Sequence, residues 1–577
     1  MSKIRINSIS IKNYRSFGEQ QTFFFPNETY KKPTAIVGYN NSGKTNLMNC
    51  ILYGIGNKFI QSNTFEANDL HNLDYENNIE ISTDIAGSEF SCEKYWDKIT
   101  NTHKTEKSIT NTYKITSILD DNELKSEMKP SMFGLNKHYN IFYINFHNIK
   151  QEIITRKSTW GGLTSFLAKH ISKLVAIDTE MNKKKSIYEQ EVKNATDEVL
   201  KDSMLHQFIG AIKENYSTNL RDNNCEVTFG LPDYQDIFLQ MIFKIGLNGS
   251  KEHLIPIDHF GDGYISMFIM AVIKAIAESN TEDKCLFLFE EPESFLHENH
   301  QEYFYKTVLC NLSDNGHQVI YTTHSDKMVD IFDTQGIIRI EFDEKSKQTL
   351  IKYNETDTFT LTMPQNENEE NIISYDEFNN YIKFVEPNLN KILFSRKVIL
   401  VEGANDILAY KTAIEKEVER LKGNKNYAQT YLNFLNMAFI VHHGKGTAYL
   451  LIDLCKHFKL EYFVINDWDF DEDFIQELAN IKDETQLKSS NLYLKKNGID
   501  RSSAEKGQIT TNWKLLNSAE LSNIHFNIPK LENVLGYPSN NKSSLGILNK
   551  VRSFTNYPES FLPQKLRDYL ELNSLEI

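Results

Sequence analysis

A glycine-rich segment near the start of the chain constrains the fold more than any other feature of the sequence. Residues 38–45 read Gly-Tyr-Asn-Asn-Ser-Gly-Lys-Thr, between an apolar stretch at residues 33–37 and a helical pattern at residues 46–52. A glycine loop between a strand and a helix can wrap its backbone N–H groups around phosphate. The sequence therefore predicts an α/β domain that binds a nucleotide.

The side chains of this loop support the same prediction. The ammonium of Lys44 can pair with the β and γ phosphates, and the Thr45 hydroxyl can hold Mg²⁺. We therefore expect ATP together with Mg²⁺ or Mn²⁺ as cofactors. The other nucleotide-binding residues predicted here are Gly38, Asn40, Asn41, Ser42, Gly43 and Asn46.

Acidic residues follow a second apolar strand pattern, at residues 285–289. One carboxylate of Glu290-Glu291 can coordinate Mg²⁺ through water, and the next can orient the water that attacks the γ-phosphate. The first acid at this place is usually Asp, so the longer Glu290 is a departure that bears on the rate of turnover. His324 stands just beyond another strand pattern, at residues 319–322, where it can sense the γ-phosphate.

A second group of acids lies in the C-terminal part of the chain. The apolar strand at residues 398–401 runs into Glu402, with Asp406 shortly after, and the strand at residues 462–466 runs into Asp467 and Asp469. Carboxylates at the C-terminal ends of parallel strands converge on one crevice, and such oxygen ligands suit Mg²⁺ or Mn²⁺. Two such ions can activate a nucleophile and stabilise the leaving oxygen of a phosphodiester.

Length and composition bound the remaining possibilities. A chain of 577 residues exceeds what one hydrophobic core usually supports, so several domains are expected. No apolar run reaches the roughly 20 residues that span a bilayer, and the start lacks a signal-peptide core, so we expect a cytoplasmic protein. The six cysteines show no metal-ligand spacing, which predicts neither disulfides nor structural zinc. The net charge of −15 excludes an extended basic surface but still permits local patches that bind nucleic acid.

The strand and helix patterns divide the chain into an interrupted first domain and a separate second domain. Residues 164–220 are rich in Lys, Glu, Ala and Leu at helical spacing, which favours an insertion of long helices that serves dimerisation; the alternative is a solvated helical subdomain. A polar stretch at residues 363–370 favours a linker. The predicted boundaries are 1–160 and 231–355 for the two parts of the first domain, 161–230 for the insertion, 356–390 for the linker and 391–577 for the second domain.

Together these residues resemble the overcoming lysogenization defect (OLD) family, in which an ABC-type ATPase domain with a helical insertion precedes a Toprim nuclease domain. The resemblance rests on residues 38–45, Glu290, Glu291, Glu293 and His324 in the first domain, and on the two acidic strand ends in the second. It implies an α/β fold, DNA as substrate, metal-dependent endonuclease activity, a homo-oligomer (dimer or tetramer) and no membrane association. It also implies that a partner subunit completes the ATPase site, for which residues 260–264 are the candidate.

The resemblance assigns two further residues and a biological setting. Glu532 matches a metal-site Glu of the family, and Lys542 matches a catalytic lysine that stabilises charge at the scissile phosphate. The order of the domains and the total length are most similar to those of the nuclease subunit of the Gabija antiphage system. That likeness implies a role in bacterial antiphage defence and a UvrD-like helicase as partner.

Two other classes of function remain open from the residues alone. In the first, the ATPase is a nucleotide-gated sensor or scaffold whose Toprim domain binds metal without cleaving, or needs a partner to cleave. The presence of Glu402, Asp406, Asp467 and Asp469 together argues against it. In the second, the Toprim domain serves a primase or topoisomerase, but no zinc-ligand spacing accompanies it.

Overall fold

The structure is a computed structural model that describes residues 5–55, 65–86, 91–97, 102–107, 112–120, 123–129, 141–148, 178–201, 203–220, 244–246, 254–279, 284–356, 375–496, 498–538 and 543–575. The predicted catalytic residue Lys542 lies outside the described residues, as do residues 161–177 and 221–230 of the predicted insertion. Within the described part, no helix has both the length and the apolar character needed to cross a bilayer.

The first domain is built from helices and two main sheets. Its helices are α1 (Lys44–Gly54), α2 (Thr179–Leu200), α3 (Met204–Leu220), α4 (Asp262–Ser279), α5 (Glu298–Phe304), α6 (Cys310–Asp314) and α7 (Tyr375–Val385). Its strands are β1 (Arg5–Lys12), β2 (Gln21–Phe24), β3 (Thr34–Val37), β4 (Glu80–Ala86), β5 (Ser91–Asp97), β6 (Thr102–Lys107), β7 (Thr112–Asp120), β8 (Glu123–Lys129), β9 (Ile141–Asn145), β10 (Lys244–Gly246), β11 (Leu254–Pro256), β12 (Leu286–Glu290), β13 (Gln318–Thr323), β14 (Ile337–Asp343) and β15 (Gln348–Tyr353).

The strand that precedes the glycine loop lies inside a six-stranded sheet of order β15-β14-β3-β13-β12-β9. Its strands are parallel except for β15, which pairs antiparallel with β14. The α/β fold predicted for this domain is therefore confirmed. A second sheet, of order β2-β1-β4-β7-β8, is antiparallel, and the sequence patterns did not predict it.

The second domain surrounds one parallel sheet of order β17-β16-β18-β21. Its strands are β16 (Lys397–Val401), β17 (Met437–Val441), β18 (Glu461–Asp467), β19 (Lys495–Lys496), β20 (Ile499–Asp500) and β21 (Ile524–Asn527). Its helices are α8 (Ala404–Lys422), α9 (Lys425–Phe434), α10 (Lys445–His457), α11 (Ile475–Ala479), α12 (Glu484–Ser489), α13 (Asn491–Leu494), α14 (Ser503–Ala519), α15 (Leu531–Val534), α16 (Ser544–Ser553) and α17 (Gln564–Tyr569).

Both parallel sheets are apolar on both faces, and their side chains alternate between separate cores. In β12, Phe287 and Phe289 enter one core and Leu286 and Leu288 enter another. In β16, Val398 and Leu400 share the core of Phe287, whereas Ile399 and Val401 face a third cluster. One continuous core therefore runs between the two sheets and holds the two domains together.

Polar contacts add to this apolar junction. Tyr353, at the end of β15, is fully buried, and its hydroxyl lies 2.6 Å from Nε2 of His457 at the end of α10. The Tyr353 ring also packs against the Phe458 ring. Arg339 of β14 is buried and donates hydrogen bonds to the carbonyls of Leu393 and Ser395, just before β16.

The buried Arg339 guanidinium is expected to contribute strongly to stability. It also pairs with Glu341, which is only 9% exposed, so Arg339→Met removes the main counter-charge from a buried carboxylate. We expect a loss of about 3–5 kcal/mol in the free energy of unfolding, measured by urea titration. Lys306→Met, which breaks the exposed pair with Glu302, is the control and should cost less than about 1 kcal/mol. Equal losses in both variants would contradict the prediction.

Candidate nucleotide and carboxylate sites

The glycine loop between β3 and α1 has the conformation needed to approach phosphate. Gly43 has φ of 99°, and a Cβ at this position would collide with the Thr349 hydroxyl. Only glycine tolerates both conditions. The Thr349 hydroxyl donates to the carbonyl of Ser42 at 3.0 Å, so β15 supports the loop from beneath.

Lys44 lies at the bottom of this loop and has no carboxylate partner among the described residues. Its Nζ donates to the carbonyls of Gly38 and Tyr39, at 3.0 and 3.1 Å, and lies 3.4 Å from Nδ1 of His324. Burial lowers the pKa of Lys44 to about 8. A buried ammonium that makes no direct ion pair with a carboxylate of the described residues is suited to receive an anionic phosphate.

Glu291 is held between two histidines beside the loop. Its carboxylate lies 3.3 Å from Nε2 of His324 and is also paired with His147. The hydrogen bond with His324 is the largest cause that lowers the Glu291 pKa to about 2. A carboxylate with this pKa binds a proton weakly, so Glu291 is suited to orient a water molecule more than to store its proton.

Glu290 occupies a different environment, although it is the neighbouring residue. It is 4% exposed, and its Oε2 accepts hydrogen bonds from the Tyr143 hydroxyl at 2.8 Å and from Nδ2 of Asn145 at 3.0 Å. Both donors belong to β9, the edge strand next to β12. The roles of Tyr143, Asn145 and His147 could not be predicted from the sequence. The order of strands in the sheet brings β9 beside β12, which ends at Glu290.

Most of the predicted nucleotide-binding residues line one cavity of about 630 Å³. Gly38 and Glu290 do not line it, although Gly38 contacts Lys44 and Glu290 ends the adjoining strand. The cavity offers backbone N–H groups, one buried cation and one carboxylate, that of Glu291, which fits a nucleoside triphosphate with its metal ion. Its lining residues are Asn40, Asn41, Ser42, Gly43, Lys44, Thr45, Asn46, Glu291 and His324.

The second predicted site lies at the C-terminal ends of β16 and β18. Glu402 follows β16, Asp406 lies in the first turn of α8, and Asp467 ends β18. Glu532 joins them from α15. The structure therefore brings together four of the five predicted acids on the side where parallel strands end, and the fifth, Asp469, follows Asp467 closely.

The mutual repulsion of these acids is visible in their pKa values. Burial, followed by the charges of Asp467 and Glu402, raises the pKa of Asp406 to about 8. Burial and the charge of Glu402 raise the pKa of Asp467 to about 7. Clustered, partly buried carboxylates of this kind favour a bound cation, because the cation removes the repulsion.

The carboxylate oxygens of this site are the ligands that a hard divalent cation prefers, but they do not form a preorganised metal site. Within the described residues, no group of three His, Cys, Asp or Glu side chains is already spaced to hold a metal ion. The residues that would hold Mg²⁺ or Mn²⁺ here are Glu402, Asp406, Asp467 and Glu532. Thr45, predicted as a metal ligand of the other site, is exposed at the start of α1.

A buried hydrogen-bonded chain positions Glu402. Nε2 of His442 lies 2.6 Å from Oδ1 of Asn466, and Nδ2 of Asn466 donates to Glu402 at 3.2 Å. Because Oδ1 can only accept, the His442 proton lies on Nε2, and burial lowers the pKa of this imidazole to about 4. His442 directly follows β17, but no sequence signal marked His442 or Asn466 as a support of the site.

Asp469 differs from the other acids because two lysines lie beside it. Lys445 Nζ lies 2.6 Å from Oδ2 of Asp469, and Lys530 Nζ lies 3.3 Å from Oδ1. Lys445 lies between Gly444 and Gly446 at the start of α10, and Lys530 precedes α15. Neither lysine was predicted as a site residue from the sequence.

Two family models match the chain. One, described as AAA ATPase domain, covers residues 5–329, and the other, described as overcoming lysogenization defect protein-like TOPRIM domain, covers residues 393–469. The first covers more than half of the chain. The second contains Glu402, Asp406, Asp467 and Asp469.

Two curated relatives are named as nucleases. The OLD nuclease of Thermus scotoductus is 24% identical over 257 residues, which is 43% of this chain and 42% of that protein. The Old nuclease of Escherichia phage P2 is 22% identical over 496 residues, which is 81% of this chain and 78% of that protein. The chain thus matches less than half the length of the first relative and most of the second.

Solved structures with partial likeness include SMC heads. The SMC head domain from Thermotoga maritima is 13% identical with a TM-score of 0.28, covering 61% of this chain and 99% of that one. An SMC head bound to the C-winged helix domain of ScpA is 14% identical with a TM-score of 0.33, covering 60% and 96%. TM-scores of this size carry no argument beyond the likeness itself. The chain therefore belongs to the AAA ATPase domain family, and residues 393–469 of its second domain are similar to the OLD-like TOPRIM domain.

Proposed function

We propose that this protein is a nucleotide-regulated, divalent-metal-dependent DNA endonuclease that acts in bacterial antiphage defence. The observation that carries the proposal is the group of acids at the ends of β16 and β18, where Asp406 and Asp467 have raised pKa values. The printed names of both curated relatives, OLD nuclease and Old nuclease, support nucleic-acid cleavage.

The proposed reaction is hydrolysis of a phosphodiester. A water oxygen forms a bond to phosphorus, the bond from phosphorus to the leaving oxygen breaks, and that oxygen takes up a proton. Mg²⁺ or Mn²⁺, when bound, supplies Lewis-acid activation and charge stabilisation. Glu402, Asp406, Asp467 and Glu532 hold the cation, and His442 and Asn466 keep Glu402 oriented. A role for Lys542 at the scissile phosphate remains part of the proposal by family resemblance.

Regulation by nucleotide is supported by a continuous set of contacts between the two sites. Thr349 of β15 bonds to the glycine loop, and Tyr353 of the same strand contacts His457 at the end of α10. The first residue of α10 is Lys445, which contacts Asp469. A shift of β15 on nucleotide binding would therefore move a helix that begins at the carboxylate site.

Assembly into a homo-oligomer is supported by the helices of the insertion. Val199 of α2 and Met204 and Phe208 of α3 are 79%, 86% and 62% exposed. Exposure of large apolar side chains to water is unfavourable, and burial against another chain would remove this unfavourable free energy. Residues 260–264 lie at the start of α4, where Tyr264 is 64% exposed, and we propose that they complete the partner's ATPase site. A cytoplasmic setting, antiphage defence and a UvrD-like helicase partner are proposed from the Gabija resemblance.

A nucleotide-gated sensor that binds metal without cleaving is the second candidate. The observation that favours it is that no three potential ligands within the described residues are already grouped around a metal position. In this case ATP would still bind and alter the assembly, whereas DNA would stay intact. The cleavage experiment below separates the two functions.

Plasmid cleavage by the purified protein is the first test. We expect nicking or linearisation with Mg²⁺ or Mn²⁺, and a loss of at least about 100-fold in Asp467→Asn, because the central acid of the cluster loses its charge. ATP affinity measured by calorimetry should stay unchanged in this variant. Intact plasmid under every condition would favour the sensor, and retained cleavage by Asp467→Asn would place the metal site elsewhere.

The coupling between the sites is tested with Tyr353→Phe. This variant keeps the ring and removes the hydrogen bond with His457, worth about 1 kcal/mol, so the ratio of cleavage rates with and without ATP should change about fivefold. ATP binding and nucleotide-free cleavage should remain. Lys44→Ala is the matched comparison, because it should lose ATP binding and with it the whole ATP effect. A wild-type ATP response in Tyr353→Phe would exclude this route.

Metal affinity should rise with pH. Because the metal-free pKa values of Asp406 and Asp467 are raised to about 8 and 7, a cation must displace protons below these values. We expect Mn²⁺ affinity to rise about tenfold per pH unit for each proton released between pH 6 and 8, then to level off. The same shifts mean that the folded metal-free protein holds extra protons, so its stability should fall as pH rises through this window. Asp406→Asn should flatten both profiles, and a flat wild-type profile would contradict the prediction.

A further inference from the structure

The ion pair between Lys445 and Asp469 sets Asp469 apart from the other four acids of the carboxylate site. Lys445 Nζ lies 2.6 Å from Oδ2 of Asp469, and the two side chains are only 10% and 19% exposed. The distance is that of a short charge-assisted hydrogen bond, and the low exposure limits screening by water. The pair is therefore a built part of the site.

Both partners are fixed by their surroundings. The Asp469 backbone N–H donates to the carbonyl of Pro529 at 2.8 Å, and the preceding Trp468 is fully buried. Lys445 is the first residue of α10, whose buried side chains anchor the helix in the shared core. Neither charge is carried on a free surface loop.

The other four acids contrast with Asp469. Within the described residues, no ion pair reaches Glu402, Asp406, Asp467 or Glu532, whereas Asp469 has Lys445 and, at 3.3 Å, the half-exposed Lys530. A divalent cation at Asp469 would have to displace the buried ammonium or lie beside it, and like charges at such distances repel strongly. The unpaired acids offer a position without that repulsion.

We propose that Lys445 is the resident cation of the carboxylate site: it keeps Asp469 out of metal coordination and contacts the scissile phosphate of the nucleic acid. One divalent cation then binds to the four unpaired acids, and the ammonium takes the place of a second. An ammonium has three N–H donors, so Lys445 can bind phosphate oxygens while it remains paired. The contact with the scissile phosphate rests on the proposed nuclease function. The exclusion of metal from Asp469 does not depend on it.

The backbone on either side of Lys445 is open. A Cβ at Gly444 or at Gly446 would meet no atom within 4 Å, so the two glycines beside Lys445 face open space. In the proposal, a strand of nucleic acid approaches the start of α10 along this open side. Lys530 is the weaker candidate, because its side chain is 50% exposed and its contact with Asp469 is longer.

Metal binding gives a test that does not require cleavage. Mn²⁺ is titrated into nucleotide-free full-length protein, with calorimetry and the electron paramagnetic resonance signal of free Mn²⁺ as readouts. We expect one Mn²⁺ per chain, an affinity within about threefold of wild type in Asp469→Asn, and a loss of more than about tenfold in Asp467→Asn. In Lys445→Met the freed Asp469 should allow a second Mn²⁺ to bind.

Cleavage kinetics test the contact with phosphate. Lys445→Met should lower kcat by about 100-fold or more while the first Mn²⁺ still binds, since a charge that stabilises the transition state is lost. Lys445→Arg should restore part of the activity, because it returns a cation to the same position. Lys456→Met, at the other end of α10 and 40% exposed, is the matched control and should cleave like wild type.

Each outcome decides the inference separately from the proposed function. Two Mn²⁺ in the wild type, with Asp469→Asn weakened as much as Asp467→Asn, would make Asp469 an ordinary ligand and overturn the inference. Wild-type kcat in Lys445→Met would overturn the phosphate contact. If the wild type does not cleave, the proposed nuclease function fails, yet the Mn²⁺ titration still shows whether Lys445 excludes metal from Asp469.

Discussion

The continuous apolar core between the two parallel sheets is the interaction on which the rest of the structure depends. Alternate residues of β12 and β16 face it from opposite sides, so the strands of both domains are fixed against one shared layer. Side chains in such a layer pack at the density of a crystal, which leaves little freedom for either sheet to move alone. The two candidate sites are thereby joined through one packed layer, although the glycine loop and Glu402 lie more than 350 residues apart in the chain.

The two centres treat buried carboxylates in opposite ways. At the nucleotide site, Glu291 lies between two histidines, which lowers its pKa to about 2 and keeps it charged. At the carboxylate site, burial and the charges of neighbouring acids together raise the pKa values of Asp406 and Asp467. Glu291 already has its two histidine partners. The acids of the carboxylate site repel one another, and a bound cation would remove that repulsion. In our proposal, the buried Lys44 supplies the cation that nucleotide phosphates need at the first site.

The helix α10 connects these features. Its last residue, His457, meets Tyr353 at the domain junction, and its first, Lys445, meets Asp469. A helix is stiff along its axis, so a displacement at one end is transmitted to the other. The same strand that carries Tyr353 also supports the glycine loop through Thr349. In our proposal, Lys445, which contacts the nucleic acid, is thus part of α10, the helix that moves when nucleotide binds.

The sequence by itself determined the main chemistry and the order of the parts. The residues of the glycine loop, the acids after β12, β16 and β18, and the parallel sheets could all be predicted, because each depends on neighbours close in the chain: a strand, its turn and the helix that follows. The supports of these sites could not. His147 reaches Glu291 only because β9 lies beside β12, and Lys445 reaches Asp469 only because β17 and β18 flank β16. Strand order depends on which apolar faces pack together, and these faces are far apart in the sequence. A lysine between two glycines has the same local sequence whether its ammonium faces solvent or a carboxylate. Only the tertiary structure decided that Asp469 is paired and that the other acids are not.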